Sequence, residues 1–288
     1  MKPDLSAAPP FVSGRRFVKS VLGSAAWFFT SVAIAAQTLT ISVVPQFSAR
    51  QVFEDWTPLL KLVGEKVGAE FKLRFYDSIP LFEAGFQRGE PDLAYMNPYH
   101  AVMAKNAAGY EPIIRDDASR LSGILVVRKD SGIKSLSQLE GKTLAFPAPN
   151  AFGASLYMRA LLTREAKINF KPVYVKTHPN VYRHVLLGQA EAGGGVTRTL
   201  NEERDDVKSQ LSILYTTPPV FSHPIAVHPR VAPELAKRIQ SAILELAEKP
   251  QHQALFTAIR IPKPAKSVYA EYVGLDALKL ESFVGGVK

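Results

Sequence analysis

The chain contains no cysteine. That excludes disulfide staples, thiolate metal centres, cysteine redox chemistry and a lipid-modified cysteine anchor. Charge of one sign never runs: 35 Lys and Arg are scattered among 26 Asp and Glu. Without basic stretches interleaved with aromatics, nucleic-acid binding is excluded. A GxSxG elbow, a P-loop and an HExxH pair are all missing, and the six histidines are too dispersed to assign a general base. The chain is therefore expected not to be an enzyme and to carry neither cofactor nor metal.

One uncharged stretch does occur, Val21–Ala36. Lys2, Arg15, Arg16 and Lys19 precede it, and Ala33-Ile34-Ala35-Ala36 ends it as a small-residue cleavage site. Residues 1–36 read as a secretory signal, too short and wrongly flanked for a membrane span. The paired arginines also hint at twin-arginine export. A mature protein beginning at Ala36 or Gln37, located in the periplasm, is expected. The segment holds four basic residues and one acid, so removing its three positive charges from the chain's +9 leaves +6. A mild positive field of that size suits a small anionic ligand. An exported chain without disulfides rests on its core, and the roughly 250 residues that remain suffice for a large one or for two lobes.

One pattern appears twice. Residues 82–98 read FEAGFQRGEPDLAYMNP and residues 182–199 read YRHVLLGQAEAGGGVTRT. In each, an apolar-periodic helix ends at a glycine, Gly89 or Gly188, where a left-handed backbone is tolerated. After two intervening residues come an acid, Asp92 or Glu191, then a short strand and a new helix near Asn97 or Thr197. Two copies of one helix–Gly–acid–strand–helix unit imply two similar α/β lobes, whose ligands sit where strands hand over to helix N-termini.

The remaining sequence alternates in the same way. Helices are expected over 49–67 (with Val52, Phe53, Trp56, Leu59, Leu60 and Val63 on one side), 80–87, 97–108, 152–166, 180–187 and 233–248. Strands are expected between them, in mostly parallel sheets. Two short crossings, 116–122 and 216–222, divide the chain into 37–117 and 222–288 for the first lobe and 118–221 for the second. Two crossings beside one cleft allow closure by hinge motion.

The segments DLAYMNPYHAVMAK, SLSQLEGKTLAFPAPNAFGASLYMRALL, THPNVYRHVLLGQAEAGGGV and YTTPPVFSHPIAVHP resemble the phosphate/phosphite/phosphonate-binding proteins of ABC importers, from about Leu39 to Glu248. The resemblance implies a type II periplasmic-binding-protein-like fold of two α/β lobes. It also implies a monomer that clamps a small anion and passes it to an inner-membrane ABC permease. Presentation to a membrane sensor kinase, or ferric-ion binding on the same fold, stays open.

Candidate ligand-binding residues follow. Tyr95, Asn97 and Tyr99 flank the strand end and helix start of the first lobe, where a hydroxyl, an amide and helix N–H groups donate to an oxyanion. His100 reads as a solvated helix residue. In the second lobe the resemblance implies a hydroxyl-rich turn at 147–155, but the turn reads PAPNAFGAS. It leaves Asn150, Ser155, backbone N–H groups and the apolar surface of Phe152. His178 matches the histidine that such proteins place in the cleft. Thr197 and Arg198 mirror Asn97, with the arginine able to grip an anion through two N–H groups. Ser222, His223 and Pro45-Gln46-Phe47 are expected as walls.

Overall fold

Apolar residues at helical spacing, opened by Ser48 accepting from the Gln51 amide and closed by Gly68 at φ 71°, make helix α1 (Ala49–Val67). Its buried stripe includes Val52, Trp56, Leu59, Leu60 and Val63. Phe53, expected in that stripe, is 54 % exposed, because it stands at the stripe's edge above an open groove shared with Phe71.

The computed structural model describes residues 37–285; the expected signal segment lies outside the described residues. Strand β1 (Gln37–Val43) precedes α1, and β2 (Ala69–Arg74), α2 (Ile79–Gln87), β3 (Leu93–Tyr95), α3 (Pro98–Ala108) and β4 (Glu111–Asp116) follow. The next run is β5 (Gly123–Arg128), β6 (Thr143–Phe146), a π-turn at Phe152–Leu156 continuing into α4 (Tyr157–Arg164), β7 (Lys171–Tyr174) and α5 (His178–Leu186). It closes with β8 (Ala192–Val196), α6 (Thr197–Asn201), α7 (Asp205–Lys208) and β9 (Leu211–Thr216). The chain returns through β10 (Pro224–Val227), α8 (Pro233–Ala247), α9 (Gln253–Ala258) and β11 (Pro264–Lys266). Among the described residues no helix is long and apolar enough to cross a membrane.

Two sheets result, ordered β11-β4-β10-β3-β1-β2 and β7-β6-β8-β5-β9. The expectation of mostly parallel sheets is corrected: four strand pairings are parallel and five antiparallel. Each sheet has a parallel trio, β2-β1-β3 or β7-β6-β8, whose strands end at the boundary between the lobes. A strand arriving from the other lobe must start at that boundary, so β5 and β10 enter against their neighbours. The two crossings between β4 and β5 and between β9 and β10 are tied by the Leu121–Val220 bridge, with N···O distances of 2.9 and 3.0 Å. In β5 the alternation is strict: Ile124 and Val126 pack on the Tyr182 side, Leu125 and Val127 on the Phe146 side.

The repeated pattern performs the same task in both sheets. Gly89 and Gly188 take φ of 68° and 69° after α2 and α5. Asp92 then accepts the Thr40 amide and hydroxyl of β1, both at 2.8 Å, and Glu191 accepts the Thr143 amide of β6 at 3.0 Å. Each acid thus pins the neighbouring strand, Asp92 at the middle of β1 and Glu191 at the start of β6.

Burial alone would raise the Asp92 carboxyl, but the Thr40 N–H and the Arg230 guanidinium at 2.6 Å hold it below its ordinary range. A depressed folded-state value contributes stability above the unfolded carboxylate range near ~4, and that contribution disappears as pH falls through the folded value. Asp92→Asn is therefore expected to lower the melting temperature at pH 7, and the difference from the parent is expected to narrow as pH falls below the ordinary carboxylate range. A melting difference independent of pH between 3 and 7 would contradict the assignment.

Candidate functional site

The parallel strands of both sheets end at one cleft, and the helices that follow them start there. From the first lobe, Asn97 caps α3, its Oδ1 accepting the His100 amide at 2.8 Å. From the second lobe, β6 ends in a turn whose first helical residues, Phe152, Gly153 and Ala154, are buried. Among the described residues their N–H groups meet no acceptor, as the first turn of a helix dictates. Asn97, Ala151–Ala154, His178 and His223 together enclose a central void of about 10 Å³, the space of roughly one water. On its hinge side lies a cavity of about 300 Å³ bounded by Tyr95, Thr197, Arg198, His223 and Arg260. On the opposite side a cavity of about 430 Å³ runs between Phe47, Tyr76, Pro149 and Tyr174.

Among the described residues, only three buried side-chain polar atoms have no hydrogen-bond partner, and each is a histidine nitrogen: His100 Nδ1, His178 Nε2 and His223 Nε2. His178 and His223 border the void itself. Burial pushes His178 down to about 4. Burial and then the positive Arg198 drive His223 well below its ordinary value. Both are neutral at pH 7. Tyr95, pushed up to about 12 by burial, keeps its proton. Its ring lies between Trp56 and His223, at 5.0 and 5.5 Å between centroids, and the residue borders the hinge-side cavity.

The other expected site residues divide. Phe152 borders the void and stacks between Tyr99 and Tyr157, at 6.1 and 5.7 Å. Tyr99 serves that stack and borders none of these three cavities. Ser155 is buried, but its Oγ accepts from Arg159 Nε at 3.1 Å and does not reach the void. Asn150 is fully engaged elsewhere. Its Nδ2 donates to Glu83 at 2.6 Å and to the Gly285 carbonyl at 3.0 Å, and its Oδ1 accepts the Gly285 amide. Thr197 is exposed on the hinge-side cavity. Arg198 borders the same cavity with its guanidinium already committed to Asp116 (2.9 Å), Ser119 (3.0 Å) and the Arg260 carbonyl. In place of the free two-pronged grip expected of it, Nη2 is held by Asp116 and Ser119 and Nη1 by the Arg260 carbonyl.

His100 corrects the reading of a solvated residue. It sits one turn inside the Asn97 cap, is fully buried between Phe82 and Phe86, and meets Glu83 at 2.8 Å. Glu83 and Arg260 were not anticipated. Glu83 carried a signal, an acid within the apolar face of IPLFEAGF. Arg260 carried none; it reaches Asp55 and Glu202 from a short turn after α9.

Two α/β sheets, two crossings and helix starts converging on a cleft define the class of two-lobe periplasmic binding proteins. The family model of the phosphonate ABC transporter periplasmic substrate-binding protein matches residues 41–272, and the chain belongs to that family. It is 21 % identical over 226 residues to the phosphate-import protein PhnD of Mycolicibacterium smegmatis, covering 71 % of this chain and 70 % of that one. Its fold is similar to a binding protein component of an ABC phosphonate transporter from Pseudomonas aeruginosa, with TM-score 0.77, 15 % identity and coverage of 85 % and 86 %. It is also similar to PhnD1 of Prochlorococcus marinus in complex with methylphosphonate, with TM-score 0.76, 16 % identity and coverage of 84 % and 97 %.

Proposed function

We propose that this chain works in the periplasm as a solute-binding protein, closes its lobes on a small phosphorus oxyanion (a phosphonate, phosphite or phosphate) and delivers it to an ABC permease. The observation that carries the reading is the void. Free N–H groups of Phe152–Ala154 and unpartnered nitrogens of His178 and His223 converge on it from both lobes. Buried polar atoms without partners are rare in native proteins, and a shared ligand accounts at once for those of the residues that border the void. Methylphosphonate in the similar Prochlorococcus structure and phosphate in the name of the mycobacterial relative support the ligand class. Admitting even a small oxyanion requires the lobes to part, and the two tied crossings provide the hinge.

Titration calorimetry with methylphosphonate, phosphite and phosphate tests this. At least one is expected to bind, and His178→Ala to weaken it by about tenfold to a hundredfold, the loss of one buried hydrogen bond to an anion. If none of the three binds or raises the melting temperature, the reading fails.

A further inference from the structure

We propose that the site takes its oxyanion together with a proton: a P–O–H group of the ligand donates to the lone pair on His178 Nε2. A singly protonated phosphorus oxyanion is thereby selected over a fully ionised tetrahedral anion of equal size, such as a sulfonate. The inference rests on the preceding reading that a small oxyanion occupies the void.

The argument is a count of protons. Thr199 Oγ1 lies 3.0 Å from the Val196 carbonyl, 2.7 Å from Tyr182 Oη and 3.3 Å from His178 Nδ1. A threonine hydroxyl has one proton, and a carbonyl only accepts, so that proton goes to Val196. Tyr182 then donates to Thr199 Oγ1. The one interaction left to His178 Nδ1 is to donate, which places the ring's single proton there and leaves Nε2 a bare lone pair. The other arrangement keeps Tyr182 donating to Thr199 at 2.7 Å and turns the Thr199 proton to His178 Nδ1 at 3.3 Å, which gives up the 3.0 Å bond to Val196 and gains none.

His178, with its Nε2 unpartnered, borders the void together with Phe152–Ala154, whose N–H groups are donors, and His223, whose Nε2 is also unpartnered. An oxyanion fits those N–H groups with its charged oxygens, and its one protonated oxygen fits the His178 lone pair. The titratable and charged groups around the pair are Tyr182 on the same helix, His223 and Tyr95 across the cleft, Arg198 beside His223, and His100 behind it. Among the described residues no carboxylate borders the void. With His178 held down to about 4 by burial, its lone pair persists at neutral pH.

Calorimetry from pH 5 to 9 with methylphosphonate, phosphite and methanesulfonate tests the proposal on the parent chain and on His178→Gln, whose amide turns to donate as readily as to accept. Melting curves establish that the variant is folded. In the parent, methylphosphonate is expected to bind with constant Kd below its second ionisation and about tenfold more weakly per pH unit above it. Methanesulfonate is expected to bind at least about tenfold more weakly at pH 7, since it brings no proton to the lone pair. His178→Gln is expected to lose both the preference and the pH slope. Methanesulfonate binding within about threefold of methylphosphonate, or a phosphonate Kd unchanged to pH 9, overturns the proton-selective site while leaving the oxyanion reading intact. Absence of binding by either phosphorus oxyanion at every pH overturns the oxyanion reading itself.

Discussion

Gly194→Ala is expected to destabilise the protein by about 3 kcal/mol or more and to abolish ligand binding. The middle of β8 is Gly193-Gly194-Gly195, and neighbours occupy the place of every missing side chain. A Cβ on Gly194 would stand 1.9 Å from the Ala154 carbonyl oxygen and 2.6 Å from the Phe146 ring. The turn lies against a second glycine of the same sheet face, its Gly153 carbonyl where a Cβ on Gly123 would come within 2.0 Å. Overpacking against backbone is costly because no rotamer change relieves it. The same displacement would move the N–H groups of Phe152–Ala154 away from the void. Gly274→Ala, where nothing lies within 4 Å, is the control and is expected to stay within about 0.5 kcal/mol of the parent. Thermal melts and calorimetry of the two variants check this. A Gly194→Ala protein melting within about 2 °C of the parent would show that the strand and turn are not held at contact.

The second large effect is expected at Glu83. This buried acid meets His100 Nε2, itself 3.0 Å from Asn97 Nδ2, at 2.8 Å within its own lobe and accepts Asn150 Nδ2 at 2.6 Å from the other. Asn150 in turn holds Gly285, and its carbonyl accepts Asn97 Nδ2 at 3.3 Å. Arg159 and Arg164 bind carbonyls of Phe283, Leu278 and Lys279, so segment 278–285 is fastened to α4 beside the same junction. Glu83→Ala leaves the partnered polar atoms of His100 and Asn150 without their bonds to it in a buried site, at about 1–3 kcal/mol each. The expected loss is about 4 kcal/mol of stability. Because one of the two bonds spans the lobes, part of that loss is expected to appear as a larger open population in small-angle scattering. Glu83→Gln, which keeps one acceptor oxygen, is expected to lose less. A double-mutant cycle between Glu83→Gln and Asn150→Ala measures the pair: coupling below about 0.5 kcal/mol would mean that Asn150 does not act through Glu83.

Helix bounds followed closely from periodicity and capping chemistry. Residues 49–67 were expected as a helix and are one, because Ser48, the apolar stripe and Gly68 are local signals. The 97–108 expectation differs only at Asn97, which is the cap itself. The two positive-φ glycines after α2 and α5 were legible for the same reason. Phe53 and His100 were misjudged because the side of a helix that meets a neighbour depends on what packs there. Periodicity defines a stripe; it does not say which edge residue is covered. For His100, one turn inside its cap, the neighbours Phe82 and Phe86 belong to a different helix.

By itself the sequence determined the order of helices and strands, the caps, the glycines that turn the chain, and, through its repeated unit, two lobes of like construction. All of these depend on residues within a few positions of one another. Only the tertiary structure decided strand polarity, since that depends on where each crossing enters its sheet. It also decided the partners of long side chains. Arg198 takes Asp116, 82 residues away, and Asn150 takes Glu83, 67 residues away. A guanidinium or a side-chain amide has the same local signature whether it faces a ligand, a hinge carboxylate or water. Which partner it meets is settled when the two lobes close, by the distance between groups that the sequence leaves far apart.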